Sequence, residues 1–197
     1  NDDGVFAPGI ITLSSFLVSS GHQCTVVAPD RERSSVGHAI TLHRPLRMWQ
    51  IPAGPYTAEC SVYACDGTPS DCVVLALEEA VPSPAMVVSG INRGPNLGDD
   101  LTYSGTVSAA MEGVILGCSA MAVSLNCNEK EPEHYYETAA AVAVSLLDFL
   151  RDSPQAPGVL LNVNVPNLPL HLVKGVKITR KGVRLYEGKV TRLKDPS

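Results

Sequence analysis

The chain has no basic stripe: among its 197 residues Lys and Arg are scattered, and the net charge is −5. A surface that tracks a long nucleic-acid backbone is therefore excluded. A short nucleotide or other small phosphate ester is not, because a metal can neutralise its charge locally. No stretch approaches the roughly 20 apolar residues that a membrane helix needs, and the first residues show no signal-peptide pattern, so no membrane partner is expected. The six cysteines (Cys24, Cys60, Cys65, Cys72, Cys118, Cys127) include no CxxC pair and no histidine at zinc spacing. Most lie in apolar runs and read as buried reduced thiols, which suits the cytoplasm or another reducing compartment such as an organelle stroma. No GxGxxG follows a first strand, so the fingerprint of a nicotinamide-dependent oxidoreductase is missing. There is no internal repeat and no low-complexity segment. An initiator Met is missing too: the chain opens on Asn1-Asp2-Asp3-Gly4 and stops at Asp195-Pro196-Ser197, and it reads as a fragment.

What is present is an ordinary globular composition, 45% apolar, with enough chain for one sizeable core. Apolar residues at helical spacing (Ile10, Leu13, Phe16, Leu17) predict a helix from Pro8 to Ser20, stopped by Gly21. Cys24 to Ala28 reads as a short buried strand closed by Pro29. Ile40 to Ile51 and Tyr56 to Ala64 flank Pro52-Ala53-Gly54-Pro55 and read as a hairpin. A helix from Pro69 to Ala80 follows, then a strand from Ala85 to Val88. The alternation continues with a small-residue helix from Ser104 to Leu116, a strand from Ala120 to Leu125, a long amphipathic helix from Glu133 to Arg151, and a strand from Val159 to Val165. Val173 to Thr179 and Val183 to Glu187 read as antiparallel strands outside that alternation. The expected fold is α/β, a Rossmann-like three-layer sandwich with a mostly parallel sheet and β-hairpins projecting as appendages. Residues 1–170 would be the catalytic domain and residues 171–197 a truncated hairpin extension. An isolated two-stranded hairpin is marginal in water, so the extension is expected to pack on a second copy, giving a homodimer or higher homo-oligomer.

Ligands of open α/β sheets sit outside the carboxyl ends of the strands, and three strand-to-helix junctions carry unusual polar clusters. The first is Asn1-Asp2-Asp3-Gly4. Adjacent carboxylates repel and call for a cation or solvent between them, and Gly4 permits the tight turn that aims both at one point. An N-cap Asp with a solvated neighbour is the bland alternative. The second is Ala28-Pro29-Asp30-Arg31-Glu32-Arg33-Ser34-Ser35, which is either a polar surface loop or the source of a hydroxyl ligand. The third runs from Ser89-Gly90-Ile91-Asn92 through Asn96 and Asp99-Asp100 to Ser104-Gly105-Thr106. It is either an Asn- and Gly-rich turn with an ordinary helix cap or an anion cradle at a helix start. Together Asp2, Asp3, Ser34 and Asn92 offer a hard oxygen ligand set for Mg²⁺, Mn²⁺ or Ca²⁺. With a phosphate cradle beside them they make a phosphohydrolase site. His38 reads as a hydrogen-bonded structural histidine, Arg31 and Arg33 as surface ion pairs, Asp66 as a loop holder and Glu112 as structural.

The order of motifs NDDG, APG, APDRERS, DGTPSDC, SGINRGPNLGDD and YSGTVSAAMEG, spread over roughly the first 125 residues, resembles the SurE (survival protein E) family of 5′/3′-nucleotidases. The resemblance implies metal ligands at Asp2, Asp3, Ser34 and Asn92. It implies phosphate contacts at Asn96, Ser104, Gly105 and Thr106, with Asp2, Asp3 and Asn96 as the catalytic set. It further implies a strand before Asn1 and a segment-exchanging C-terminal part, neither present in this sequence. The expected substrate is a nucleoside monophosphate, and the expected cofactor one divalent cation, Mg²⁺ or Mn²⁺. Attack would be by an activated water, or by Asp2 or Asp3 itself. A non-catalytic nucleotide-binding module is the rival function.

Overall fold

The computed structural model describes residues 1–183 except Ser35, Ala53 and Glu129. In chain order it contains α1 (Pro8–Ser19), β1 (Thr25–Pro29), β2 (Met48–Gln50), β3 (Ser61–Cys65), α2 (Pro69–Leu75, continued by a π turn over Ala76–Ala80), β4 (Val87–Arg93), a 3₁₀ turn (Gly98–Thr102), α3 (Gly105–Ile115), β5 (Ala120–Asn126), α4 (Tyr136–Asp152) and β6 (Leu160–Pro166). The strands form two three-stranded sheets, ordered β1-β3-β2 and β4-β5-β6. Every pairing is parallel except β2 with β3, so the α/β reading with a mostly parallel sheet holds. No helix among the described residues is long and apolar enough to cross a membrane.

The second sheet owes its two covered faces to the side-chain period of two in β5. Met121, Val123 and Leu125 point one way, into a core with Leu13 of α1 and Ala139, Ala140 and Ala143 of α4. Ala120 and Ala122 point the other way, against Val107 and Ala110 of α3. Three large apolar side chains on one face, each worth about 1.5–3 kcal/mol when fully buried, hold two helices there. The small residues on the other face let α3 approach the strand closely. Helix α1 also joins the two sheets: Ala7 and Ile10 pack with Val26, Ala28, Val62 and Ala64 of the first sheet, while Leu13 belongs to the core of the second.

Two expectations need correction. The pair β2 and β3 is antiparallel as predicted, but β3 also pairs with β1, so it is the central strand of its sheet rather than an appendage. Its partner is short because nearby carboxylates take backbone N–H groups that a longer ladder would use. Asp71 Oδ1 accepts from Thr41 N at 2.9 Å and Asp66 Oδ1 from Arg47 N at 2.9 Å. The other correction concerns Val173 to Thr179, which carries no strand. The segment is solvent-exposed, with Ile178 97% accessible, and no strand among the described residues pairs with it. Val183 to Glu187 lies outside the described residues apart from Val183.

Candidate active site

The Asn1-Asp2-Asp3-Gly4 turn sits where the two sheets meet, bound to the carboxyl end of one strand on each side. On the β1 side, Val5 N donates to Pro29 O at 2.8 Å and Arg33 N to Asp2 O at 2.7 Å. On the β4 side, Arg93 N donates to Asp3 Oδ2 at 3.2 Å. Strands β1 and β4 head the two sheets, so this is the crevice where the strand order reverses, the usual ligand position of such folds. Gly4 makes the turn possible: its φ is +96°, and a Cβ there would lie 3.0 Å from the Arg31 carbonyl carbon.

Asp2 is buried. Its Oδ1 accepts a hydrogen bond from the Thr106 hydroxyl, which also lies 3.4 Å from Asn92 Oδ1. Thr106 is fully buried at the start of α3, so one hydroxyl gathers the carboxylate and the amide oxygen expected to face a cation. The same helix start favours a negative group beside it. Gly105 must lack a side chain for this approach, since a Cβ would lie 2.8 Å from Asp2 Cβ and 3.1 Å from Pro69 Cγ. Asn92 reaches the site through a bulge. Between Ser89 and Asn92 the register of β4 against β5 shifts, three steps on β4 spanning two on β5, which re-aims the residues that follow.

Asp3 is partly buried beside Asp2. Burial, and then the Asp2 charge, push its carboxyl above the ordinary aspartate range, while the Arg93 N–H pulls the other way. Among the described residues neither carboxylate forms an ion pair with a Lys, Arg or His side chain. Two adjacent carboxylates, one buried and one partly so, that form no ion pair with a Lys, Arg or His side chain among the described residues suit a divalent ion. No group of three or more His, Cys, Asp or Glu gathers among the described residues. The available donors are carboxylate, amide and hydroxyl oxygens, a hard set. Ser34 is exposed and donates to Glu32 Oε1 at 2.7 Å, which leaves its lone pairs free. Its neighbour Arg33 is tied to the carboxylate pair by the hydrogen bond from Arg33 N to Asp2 O.

Asn96 is buried and clamped. Its N–H donates to Asn164 Oδ1 at 2.9 Å, its carbonyl accepts from Asn162 Nδ2 at 2.9 Å and Asn164 Nδ2 at 3.0 Å, and its own Nδ2 donates to Ser124 Oγ at 2.8 Å. Asn162 and Asn164 are not among the candidate site residues that the sequence suggests, their segment reading there as a strand. Their i, i+2 spacing inside an apolar run was the available signal, since it puts two amides on one face of β6. Ser104 caps α3, its Oγ accepting from Val107 N at 3.1 Å, and its own O–H remains a donor. The structure thus brings Asp2, Thr106 and Asn92 into direct contact, sets Asp3 alongside, and holds Asn96 on the β5–β6 side.

Several other polar residues have partners of their own. His38 Nε2 lies 2.6 Å from Glu112 Oε2, Arg33 pairs with Asp30 at 3.4 Å, and Asp66 holds the Arg44–Arg47 loop. All six cysteines are free thiols.

The model of the family described as survival protein SurE matches residues 1–188. The chain belongs to the SurE family. It is 52% identical over 197 residues to the 5′-nucleotidase SurE of Synechococcus elongatus, covering all of this chain and 74% of that one. To the 5′-nucleotidase SurE of Geobacter metallireducens it is 50% identical over 198 residues, again 74% of the relative's length. The crystal structure of the SurE protein from Aquifex aeolicus superposes with a TM-score of 0.85 at 44% identity, covering 100% of this chain and 76% of that one.

Proposed function

We propose that this nucleotide phosphohydrolase of the SurE family removes phosphate from nucleoside monophosphates with one Mg²⁺ or Mn²⁺ held by Asp2, Asp3, Ser34 and Asn92. The observation that carries the metal is the pair of adjacent carboxylates, Asp2 buried and Asp3 partly so, with no Lys, Arg or His ion pair to either among the described residues. A bound cation would polarise a phosphoryl oxygen and offset the charge that develops during transfer. The chain's own groups do the positioning. The Thr106 hydroxyl and the Arg93 N–H fix Asp2 and Asp3. The Ser104 O–H and the first N–H groups of α3, which have no partners inside the helix, would donate to phosphoryl oxygens at Gly105 and Thr106. Asn96 has one amide N–H committed to Ser124, and its second would reach the phosphate. Donors fixed in advance around a transferring phosphoryl group are the main source of rate in such reactions. Water is the attacking group in this scheme, because both carboxylates are occupied as ligands.

The 5′-nucleotidase names of the relatives at about half identity support the substrate. A homodimer or higher oligomer is supported by the exposed apolar residues Val176, Ile178 and Val183. A reducing compartment, the cytoplasm or an organelle stroma, suits six free thiols. The test is phosphate release: incubation with a nucleoside monophosphate and Mg²⁺ should give inorganic phosphate and nucleoside in equal amounts. Saturable nucleotide binding with no phosphate released under any added metal would instead make the protein a binding module.

A further inference from the structure

The first loop leaves one large side chain outside. Asp2, Gly4, Val5 and Ala7 are buried, whereas Phe6 between them is 62% accessible. Single exposed apolar residues are common on protein surfaces and need no explanation. Phe6 differs in its fixing and its neighbours. Val5 and Ala7 are both set into the core of the first sheet, the Val5 carbonyl accepts from the buried Tyr56 hydroxyl, and Pro8 begins α1 directly afterwards. Residues 4–7 form a turn closed by Ala7 N donating to Gly4 O at 3.1 Å, and with both neighbours anchored inward that turn holds the ring outward. The ring lines an open cavity of about 300 Å³ whose other walls include Asp3, Arg31, Glu32, Arg93 and Tyr136. One wall of that cavity is therefore a proposed metal ligand, and the next is an exposed aromatic face.

A site that handles only a phosphate needs no such ring. A nucleoside monophosphate has a flat base a ribose away from its phosphate, and an aromatic face accepts any base by stacking. We infer that Phe6 is the stacking wall of a nucleoside subsite, which takes the base of the substrate whose phosphate lies toward Asp3. Arg31 and Arg93, on the same cavity, present donors to the sugar hydroxyls or to the base edge, and Tyr136 closes the side toward α4. The inference rests on the nucleotidase reading and adds to it a specificity-determining residue. It also implies tolerance among bases, because stacking reads a face and not an edge.

The test compares two substrates on one protein: adenosine 5′-monophosphate and ribose 5-phosphate, which lacks the base. In the wild type both release phosphate. Phe6→Ala should lower kcat/KM for the nucleotide by about tenfold, mainly through KM, in line with the loss of one base–aromatic stack. It should leave ribose 5-phosphate within about twofold, and Phe6→Trp should restore the nucleotide value. Equal losses on both substrates would mean that Phe6 only supports the carboxylate loop, and no loss on either would mean that the base lies elsewhere. Both results overturn the subsite while leaving the nucleotidase reading intact. A wild type that releases phosphate from neither substrate overturns that reading itself, and the subsite with it.

Discussion

Thr106 is fully buried, and its hydroxyl touches Asp2 Oδ1 while lying 3.4 Å from Asn92 Oδ1. A side chain that orients a metal ligand typically changes metal affinity 10–100-fold when removed. Thr106→Val keeps the shape and deletes the hydroxyl. It should raise the Mg²⁺ concentration needed for half-maximal activity by about 10–100-fold, with most of the turnover recovered at saturating metal. An unchanged Mg²⁺ curve would contradict this role. The sequence reading expected the Thr106 hydroxyl on phosphate, because a Ser-Gly-Thr helix start resembles an anion cradle. Only the fold, which brings residue 2 against residue 106, reveals its contact with a carboxylate. Asp2, Asp3 and Asn92 were legible from residue chemistry at strand ends. Asn162 and Asn164 were legible only as two amides on one face of a strand; their partner, Asn96, appears once β6 is laid beside it.

At the scale of elements, the site depends on two close approaches of backbone. In β4, Gly90 has φ +132°, and a Cβ there would lie 2.3 Å from Val123 O. Gly90→Ala should therefore destabilise the fold by about 2–4 kcal/mol, seen as a lowered midpoint in chemical denaturation. At the start of α3, a Cβ on Gly105 would press first on the Asp2 side chain and then on Pro69. Gly105→Ala should lose far more turnover than stability, and the opposite ranking would show that α3 does not abut the site. The loop after β3 gives a pH prediction. The Asp66 carboxyl is held below its usual range, first by the Arg47 N–H and then by the Arg44 guanidinium. A depressed carboxylate pKa contributes stability that is present above the unfolded value of about 3.9 and is lost as pH falls through the folded value. The stability difference between wild type and Asp66→Asn should thus be constant near neutrality and shrink as pH falls below about 4; a gap unchanged by acid would contradict it. Helix and strand periods made α1, α3, β5 and β6 readable to within a few residues. The strand predicted over Ile40 to Ile51 shrank to Met48–Gln50 because Asp66 and Asp71 bind its backbone, a long-range effect that no local pattern carries.

For the whole molecule, the exposed Val176, Ile178 and Val183 should be covered by a second copy. Light scattering across dilution is expected to report a dimer or larger assembly, and a persistent monomer would remove the oligomer from the account. The central claim is that two adjacent carboxylates at the meeting of two sheets, Asp2 buried and Asp3 partly so, hold a hard cation that the reaction needs. The most direct measurement is phosphate release from a nucleoside monophosphate by metal-stripped protein as Mg²⁺ or Mn²⁺ is added back, for the wild type and for Asp3→Asn. The account predicts no release in excess chelator, recovery with added metal in the wild type, and recovery reduced by at least about 100-fold in a folded Asp3→Asn protein, as expected for losing a direct ligand and not merely a supporting contact. Full release in excess chelator, or the same metal curve for both proteins, would contradict it.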